Sequence, residues 1–361
     1  VNDMRIESGS RWGEWAQWGV AFLLFAVVPI SGKRYLVNMG NEILVMGLFA
    51  MGFNLLYGVT GMLSFGHAAY YGIGAYTVGL LLSRGVVPFW VALPATMAAG
   101  GVLALVLGPL CIRLSGVYFT MLTLAFAEMV WGIVFKWYDF TGGDNGIQGI
   151  PTADVIHDPL RYYYFTMAVV FLSFWLIRRI VESPFGAVLK SIRENPERTG
   201  FLGVKVRRYE LAAMVLSGVF AALAGGLFAG YQHSIHPDML HWTKSGEVIL
   251  MTLLGGVSSF FGPLMGAAVI IFIEDMIGKY TEFWEIWIGG IMLAIVIFFP
   301  RGVIGTIDTW IKRWRSHGDH AGDATPPLGP ASVEVVRRAE SHQRRQFRDP
   351  ARGTQRHHRS Q

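Results

Sequence analysis

Apolar residues occur in runs of about twenty, separated by short polar stretches rich in Gly and Pro. A helix needs roughly 20 such residues to cross about 30 Å of hydrocarbon. The runs predict spans over residues 16–31, 38–57, 67–83, 87–111, 116–136, 162–180, 210–230 and 284–300. Region 246–278 is equally apolar but broken at Gly255-Gly256 and Gly262-Pro263. The pattern predicts an all-α, polytopic membrane bundle of about 8–10 spans with broken helices. No small-residue cleavage site follows the first run, so it reads as an anchor rather than a cleaved signal.

Charge orients the bundle. Arg178, Arg179, Lys190, Arg193, Arg198, Lys205, Arg207 and Arg208 crowd one interval, which the positive-inside rule puts in the cytoplasm. Residues 138–160 instead hold Asp139, Asp144, Asp154 and Asp158 without Lys or Arg, and read as the outer face. The last span ends at Phe298-Phe299-Pro300-Arg301 before a basic tail, which predicts a cytoplasmic C-terminus. With 210–230 leaving the cytoplasm and 284–300 returning to it, 246–278 must enter and leave on the outer side. That predicts a short helix, a Gly-rich turn and a second helix, beside a transport path because irregular backbone at membrane depth needs protein or water around it. Two ordinary short helices joined by a cytoplasmic turn are the alternative.

A second break runs through Gly58, Gly61, Ser64-Phe65-Gly66-His67, Gly72 and Gly74. It is similar to Phe260-Phe261-Gly262-Pro263, since both follow paired glycines and precede a Gly/Ala-rich helix. An internal repeat and a short coincidence both fit. The chain divides into an N-terminal segment 1–15, a membrane domain 16–313 with a cytoplasmic loop 182–208, and a tail 314–361. The tail's composition predicts disorder, either simply solvated or lying on anionic membrane lipid through its Arg residues.

Composition agrees with a membrane protein: 53% hydrophobic, 15% charged, 44 glycines and a mean hydropathy of +0.42. The single cysteine, Cys111, excludes an internal disulfide and a cysteine-rich metal site, and no metal site is expected. His357-His358 is no metal signature. No P-loop, H-E-x-x-H or G-x-S-x-G sequence occurs, so the chain carries no such ATPase, zinc-protease or hydrolase motif. The formal charge of +5 sits in loops and tail, and no nucleic-acid partner is expected.

Few residues carry candidate chemistry. Ser64, Gly66 and His67 open a helix whose free N–H groups suit a substrate carboxylate; alternatively His67 is packed and neutral, and Ser64 is an ordinary cap. Glu128 lies deep in a span, where a carboxylate is costly and either lines the path or bonds a neighbouring helix. Glu42, Glu247, Glu274 and Asp275 lie near span ends. Gly255, Gly256 and Gly262 mark the second break as a path candidate. Two small-residue rows, Ser217, Ala221, Gly225 and Gly218, Ala222, Gly226, predict close helix packing rather than substrate contact. Thr141-Gly142-Gly143-Asp144-Asn145-Gly146 is a glycine turn or a contact for an external protein.

These blocks together resemble the LivM-type permease of branched-chain amino-acid ABC importers. The resemblance spans about residues 38–306 and rests on Asn54-Leu55-Leu56-Tyr57-Gly58 through Ala75-Tyr76, Gly116-Val117-Tyr118-Phe119 through Ala127, and Thr141 through Gly146. It continues over Ser183-Pro184-Phe185-Gly186 through Gly203, Gly255-Gly256 to Gly266-Ala267, and Phe299-Pro300-Arg301-Gly302. It implies a type II-like, many-helix importer domain in a bacterial inner membrane. The implied partners are a second, LivH-like permease, two ABC ATPases that use ATP and Mg, and a periplasmic binding protein. This chain would bind no cofactor and catalyse nothing itself. The implied coupling loop is Ala187 to Gly203, with Ile192 and Leu202 as apolar plugs, Arg193 and Glu194 as surface partners, and Gly200 and Gly203 in the turn. Arg198-Thr199 stand where such permeases often carry small residues. Related permeases serve urea, short amides and aromatic acids, and a urea-type permease is the nearest alternative. An ion-coupled carrier using Glu128, Glu247, Glu274 and Asp275 is a further one, and an intramembrane enzyme lacks any clustered nucleophile and base.

Overall fold

The apolar runs become helices, as their length and composition require. The structure, a computed structural model, describes residues 33–151 and 158–279, with isolated positions between 22 and 29 and between 286 and 290. The expected segment 1–15, the last span 284–300 and the tail 314–361 lie wholly or largely outside the described residues, as does most of 16–31. The helices are α1 (Arg34–Thr60), α2 (His67–Ser83), α3 (Phe89–Cys111), α4 (Val117–Lys136), α5 (Tyr138–Thr141) and α6 (Pro159–Glu182). They continue with α7 (Pro184–Glu194), α8 (Pro196–Phe201), α9 (Val206–Gln232), α10 (Trp242–Gly255) and α11 (Gly262–Gly278). Strands β1 (Ile147–Gln148) and β2 (Ser234–Ile235) pair antiparallel, Ile147 opposite Ile235. Among the described residues, α1, α3, α4, α6 and α9 are long and apolar enough to cross a membrane.

The connections sort to two ends. At one, β1 and β2 join the loops after α5 and α9, and the Arg84 guanidinium donates to the Phe140 carbonyl oxygen at 3.1 Å. At the other, the Thr120 hydroxyl donates to the Leu63 carbonyl oxygen at 3.0 Å, and the Arg193 guanidinium donates to the Gly58 carbonyl oxygen. The acidic interval thus lies at the first end and the basic interval at the second, consistent with outer and inner faces.

The core is α1 and α9, buried on nearly every side, with α2, α3, α6, α10 and α11 around them. Lipid tails are as apolar as the helices, so association rests on close packing and interhelical hydrogen bonds. Small residues supply that closeness. A Cβ added at Gly225 would overlap the Tyr71 carbonyl oxygen, and one at Gly74 would overlap that of Ala222. At Gly100 it would come within 2.7 Å of the Gly218 carbonyl oxygen, and at Gly52 within 3.3 Å of the Ala221 nitrogen. Ser217, Ala221 and Ala222 are buried beside them.

Two elements depart from plain crossings. Helix α2 covers 67–83 as expected, but it does not begin at the inner end. Residues 61–66 rise unwound from the end of α1, and α2 starts where His67 meets Ser217, itself bonded to Gly52 of α1, so the crossing is part non-helical chain and part helix. The region 246–278 forms two helices with a turn. The Thr252 hydroxyl donates to the Val248 carbonyl oxygen at 2.9 Å and lies 3.4 Å from the Ala50 carbonyl oxygen, and the Phe261 ring meets the Phe174 ring at 6.4 Å. Ala50 is ten residues, or about 15 Å, short of the inner end of α1. Helix α11 then returns to Tyr35 at the outer end, where Tyr35 donates to Asp275. The helix pair enters and leaves at one end, and its turn stops at depth.

Gly225→Val should remove folded protein, because overpacking backbone against backbone costs at least about 1–3 kcal/mol. Gly132→Val, at a position open to at least 4 Å, should melt like the parent. Detergent-solubilised thermal melting followed by size exclusion distinguishes them.

Candidate functional site

The inner surface is built by two capped helices. Ser183 accepts from the Gly186 N–H at 3.4 Å and Pro184 opens α7; Asn195 Oδ1 accepts from the Arg198 N–H at 2.8 Å and Pro196 opens α8. Caps of this kind each stabilise a helix start by about 1 kcal/mol, so the loop is a rigid angle rather than a flexible strand. Helix α7 is amphipathic. Leu189 and Ile192 are buried, while Ala187, Ser191 and Glu194 face out.

This geometry corrects two expectations. Ile192 is 1% exposed and faces the bundle, so it anchors α7 and cannot plug into another protein. Arg193 reaches back to Gly58 and braces the end of α1 instead of standing free. The outward apolar pair is Phe201, 90% exposed, and Leu202, 80% exposed. Leu202 was expected; Phe201 was not, although an aromatic residue between Gly200 and Leu202 in a basic loop was a signal that could have found it. Gly200 and Gly203 are open, and Gly203 has a φ of +85° that favours glycine. Thr199 is buried and its hydroxyl donates to the Asn195 carbonyl oxygen at 2.9 Å, while Arg198 is exposed.

The helix start at His67 is filled by the protein itself. The Ser217 hydroxyl donates to the Gly52 carbonyl oxygen at 2.6 Å, which uses its single proton. His67 Nε2 lies 2.6 Å from Ser217 Oγ, so the hydroxyl stands between the Gly52 carbonyl and the imidazole. The Ala68 N–H donates to Ser245 Oγ of α10 at 2.8 Å, where a substrate carboxylate was considered. Ser64 accepts from the Gly66 N–H at 3.2 Å, and a Cβ at Gly66 would lie 2.8 Å from the Thr123 carbonyl oxygen. Ser64, His67, Ser217 and Ser245 have no exposed surface. The group ties α1, α2, α9 and α10 together; of the two readings of His67, the packed one fits.

Glu128 caps α10. Its Oε1 accepts from the Trp242 N–H at 3.1 Å and lies 3.9 Å from His241 Nε2. The carboxylate offsets a helix-terminal positive charge, so it bonds a neighbouring helix rather than standing free in a path. The second break is equally tight: a Cβ at Gly255 would overlap the Gly262 carbonyl oxygen, and one at Gly262 would overlap that of Gly256. Gly256 has a φ of +99° in the turn. These three glycines bring α10 and α11 into backbone contact. Outside, Thr141 to Gly146 form a compact turn in which Gly142 and Gly146 have positive φ and the Thr141 hydroxyl donates to the Val134 carbonyl oxygen at 2.6 Å. The Tyr138 hydroxyl donates to Asp144, which raises its pKa above the ordinary phenol value. Among the described residues no group of three His, Cys, Asp or Glu side chains is arranged to hold a metal.

Residues 35–299 match the family described as "Branched-chain amino acid transport system / permease component". The high-affinity branched-chain amino acid transport system permease protein LivM of Escherichia coli K12 is 28% identical over 313 residues, covering 79% of this chain and 74% of its own. The probable branched-chain amino acid transport permease protein LivM of Methanocaldococcus jannaschii is 25% identical over 304 residues, covering 78% and 86%. The probable LivH permease of the same organism is 24% identical over 319 residues, covering 78% and 98%. No solved structure matches the chain.

Ser217→Ala should destabilise the protein by about 1–3 kcal/mol, because it leaves a buried imidazole nitrogen and the Gly52 carbonyl without their shared partner. Ser191→Ala, on the exposed face of α7, should be silent. Melting temperature in detergent reads both.

Proposed function

Because the chain belongs to the family of branched-chain amino acid transport system permease components, we propose that it is one membrane subunit of an ATP-driven importer for leucine, isoleucine and valine. The carrying observation is the rigid α7–α8 angle, which presents Phe201 and Leu202 to water at the basic end of the bundle. Two exposed apolar side chains on a capped loop form a small docking surface, and apolar anchors of this kind dominate interface energetics. The occupant of that surface is an ABC ATPase, which binds the ATP and Mg that this chain has no P-loop to hold. The tail after residue 300 then lies in the cytoplasm of a bacterial inner membrane.

The second membrane subunit is a chain of the same family. This sequence is similar to relatives named LivM and to relatives named LivH alike, which supports a pair built from two variants of one fold. A substrate-binding protein docks on the outer cap formed by β1, β2 and the Thr141–Gly146 turn. Closure of the ATPases moves α7, and α7 is seated on α1, α6 and α9.

Gly200 tests the coupling surface because an added Cβ meets nothing within 4 Å. Gly200→Trp should leave the permease folded and paired, yet remove co-purifying ATPase and lower uptake of labelled leucine by about tenfold or more. Normal uptake with retained ATPase would sink the assignment of this surface.

A further inference from the structure

Among the five long apolar helices of the described residues, α4 is the one its own subunit covers least: 28% of its apolar stretch is buried, against 83% in α1 and 67% in α9. A four-three repeat runs along its outward side through Tyr118, Met121, Ala125, Glu128, Gly132 and Phe135. All six are exposed or half-exposed, and a Cβ added at Gly132 would meet nothing within 4 Å. A mean spacing of about 3.5 residues keeps such a stripe facing one neighbouring helix along its whole length.

Lipid does not suit this stripe. Glu128 lies about 16 Å along a helix about 30 Å long, and its side chain is 30% exposed. Its Oε1 accepts from the Trp242 N–H, while Oε2 accepts no hydrogen bond among the described residues. His241, equally half-exposed, stands beside it. Ionisable groups at that depth are costly against hydrocarbon and belong in the interior of a bundle. The other outward faces differ: the middle of α3 presents Val102, Leu105 and Val106, and α6 presents Leu172, side chains that lipid tails can cover. Ala125 and Gly132 lie about two turns apart with Glu128 between them, and small residues so placed let a second backbone approach closely.

We propose that the α4 stripe is the seam against the second permease subunit, whose corresponding helix lies side by side with α4. The inference rests on the reading of the chain as one of two paired permeases and adds to it the face that does the pairing. Under that reading the two subunits are variants of one fold. Related chains that pair about a pseudo-two-fold axis bring like surfaces together, so α4 meets its counterpart. The four-three repeat gives the two helices a left-handed crossing of about 20°. The partner helix closes over Ala125 and Gly132, takes Glu128 out of contact with lipid and supplies a donor to Oε2.

The test is site-specific photo-crosslinking in cells that express this chain with an epitope-tagged second permease of the family and the ATPases. A benzophenone-bearing phenylalanine replaces Met121 on the stripe or Val106 on α3. The expected result is an adduct between this chain and the tagged permease from position 121 and none from position 106. Gly132→Leu is expected to lower the second permease recovered with this chain about tenfold, because the new side chain fills the seam at a position with open space on this subunit. Val106→Leu is expected to keep that recovery within about twofold. If the second permease co-purifies with the parental chain but position 121 gives no adduct with it, the seam is overturned and the pairing stands. Adduct from position 106 instead, or parental recovery with Gly132→Leu, overturns the seam in the same way. A parental chain that recovers no second permease overturns the reading of a paired permease, and the seam with it.

Discussion

Backbone-to-backbone approach of α9 against α1, α2 and α3 is the constraint on which the rest of the structure depends. Inside a bilayer the apolar surface of a helix gains little by leaving lipid for another helix. Dispersion contacts and hydrogen bonds must supply the difference, and both need short distances. Gly225 beneath the Tyr71 carbonyl, Gly74 beneath the Ala222 carbonyl and Gly100 beneath the Gly218 carbonyl give those distances. Ser217 then places its hydroxyl between Gly52 and His67, and the start of α2 is held at depth. Without that closeness neither the unwound segment 61–66 nor the helix pair α10–α11 would have a protein surface on which to satisfy its backbone.

Polar side chains deep in the bundle act here mostly as fasteners. Glu128 closes the start of α10, Ser245 closes the start of α2, and Thr120 and Thr123 hold Leu63 and Phe65. The bonds from α4 join an interrupted element to a continuous one, and that of Ser245 joins two interrupted ones. Unsatisfied backbone groups cost several kcal/mol in hydrocarbon, so an interruption is stable only where a neighbour supplies the missing partner. Glu42 and Glu274 stand apart from this pattern: they bond no backbone group, and Lys244, in contact with Glu247, is the cation whose field reaches both.

The spans that fall in the described residues were legible because apolar run length is a one-dimensional signal. So was the return of α11 to the outer end, which follows from counting crossings against the basic and acidic loops. The small-residue rows were legible as helix-packing faces, though not their partners. What remained hidden depends on residues far apart in the chain. Glu128 bonds a backbone group 114 positions away, and Ser245 caps a helix 177 positions away. The face of α7 was also ambiguous: its amphipathic pattern separates Ile192 from Glu194 but does not say which side meets the bundle. The contact of Tyr35 with Asp275 required α11 to fold back onto α1, a closure visible only once the turn at Gly256 is in place.

The brace between Arg193 and Gly58 has a mechanical consequence. Helix α7 grips the last turn of α1 immediately before the chain unwinds at Gly61, and Gly61, at a φ of +78°, lies against the Arg193 side chain. The stiff lever and the soft hinge are therefore adjacent. Under the proposed coupling, a push on the inner surface would be delivered beside a glycine turn, and it would reach α2 without first having to bend a continuous helix.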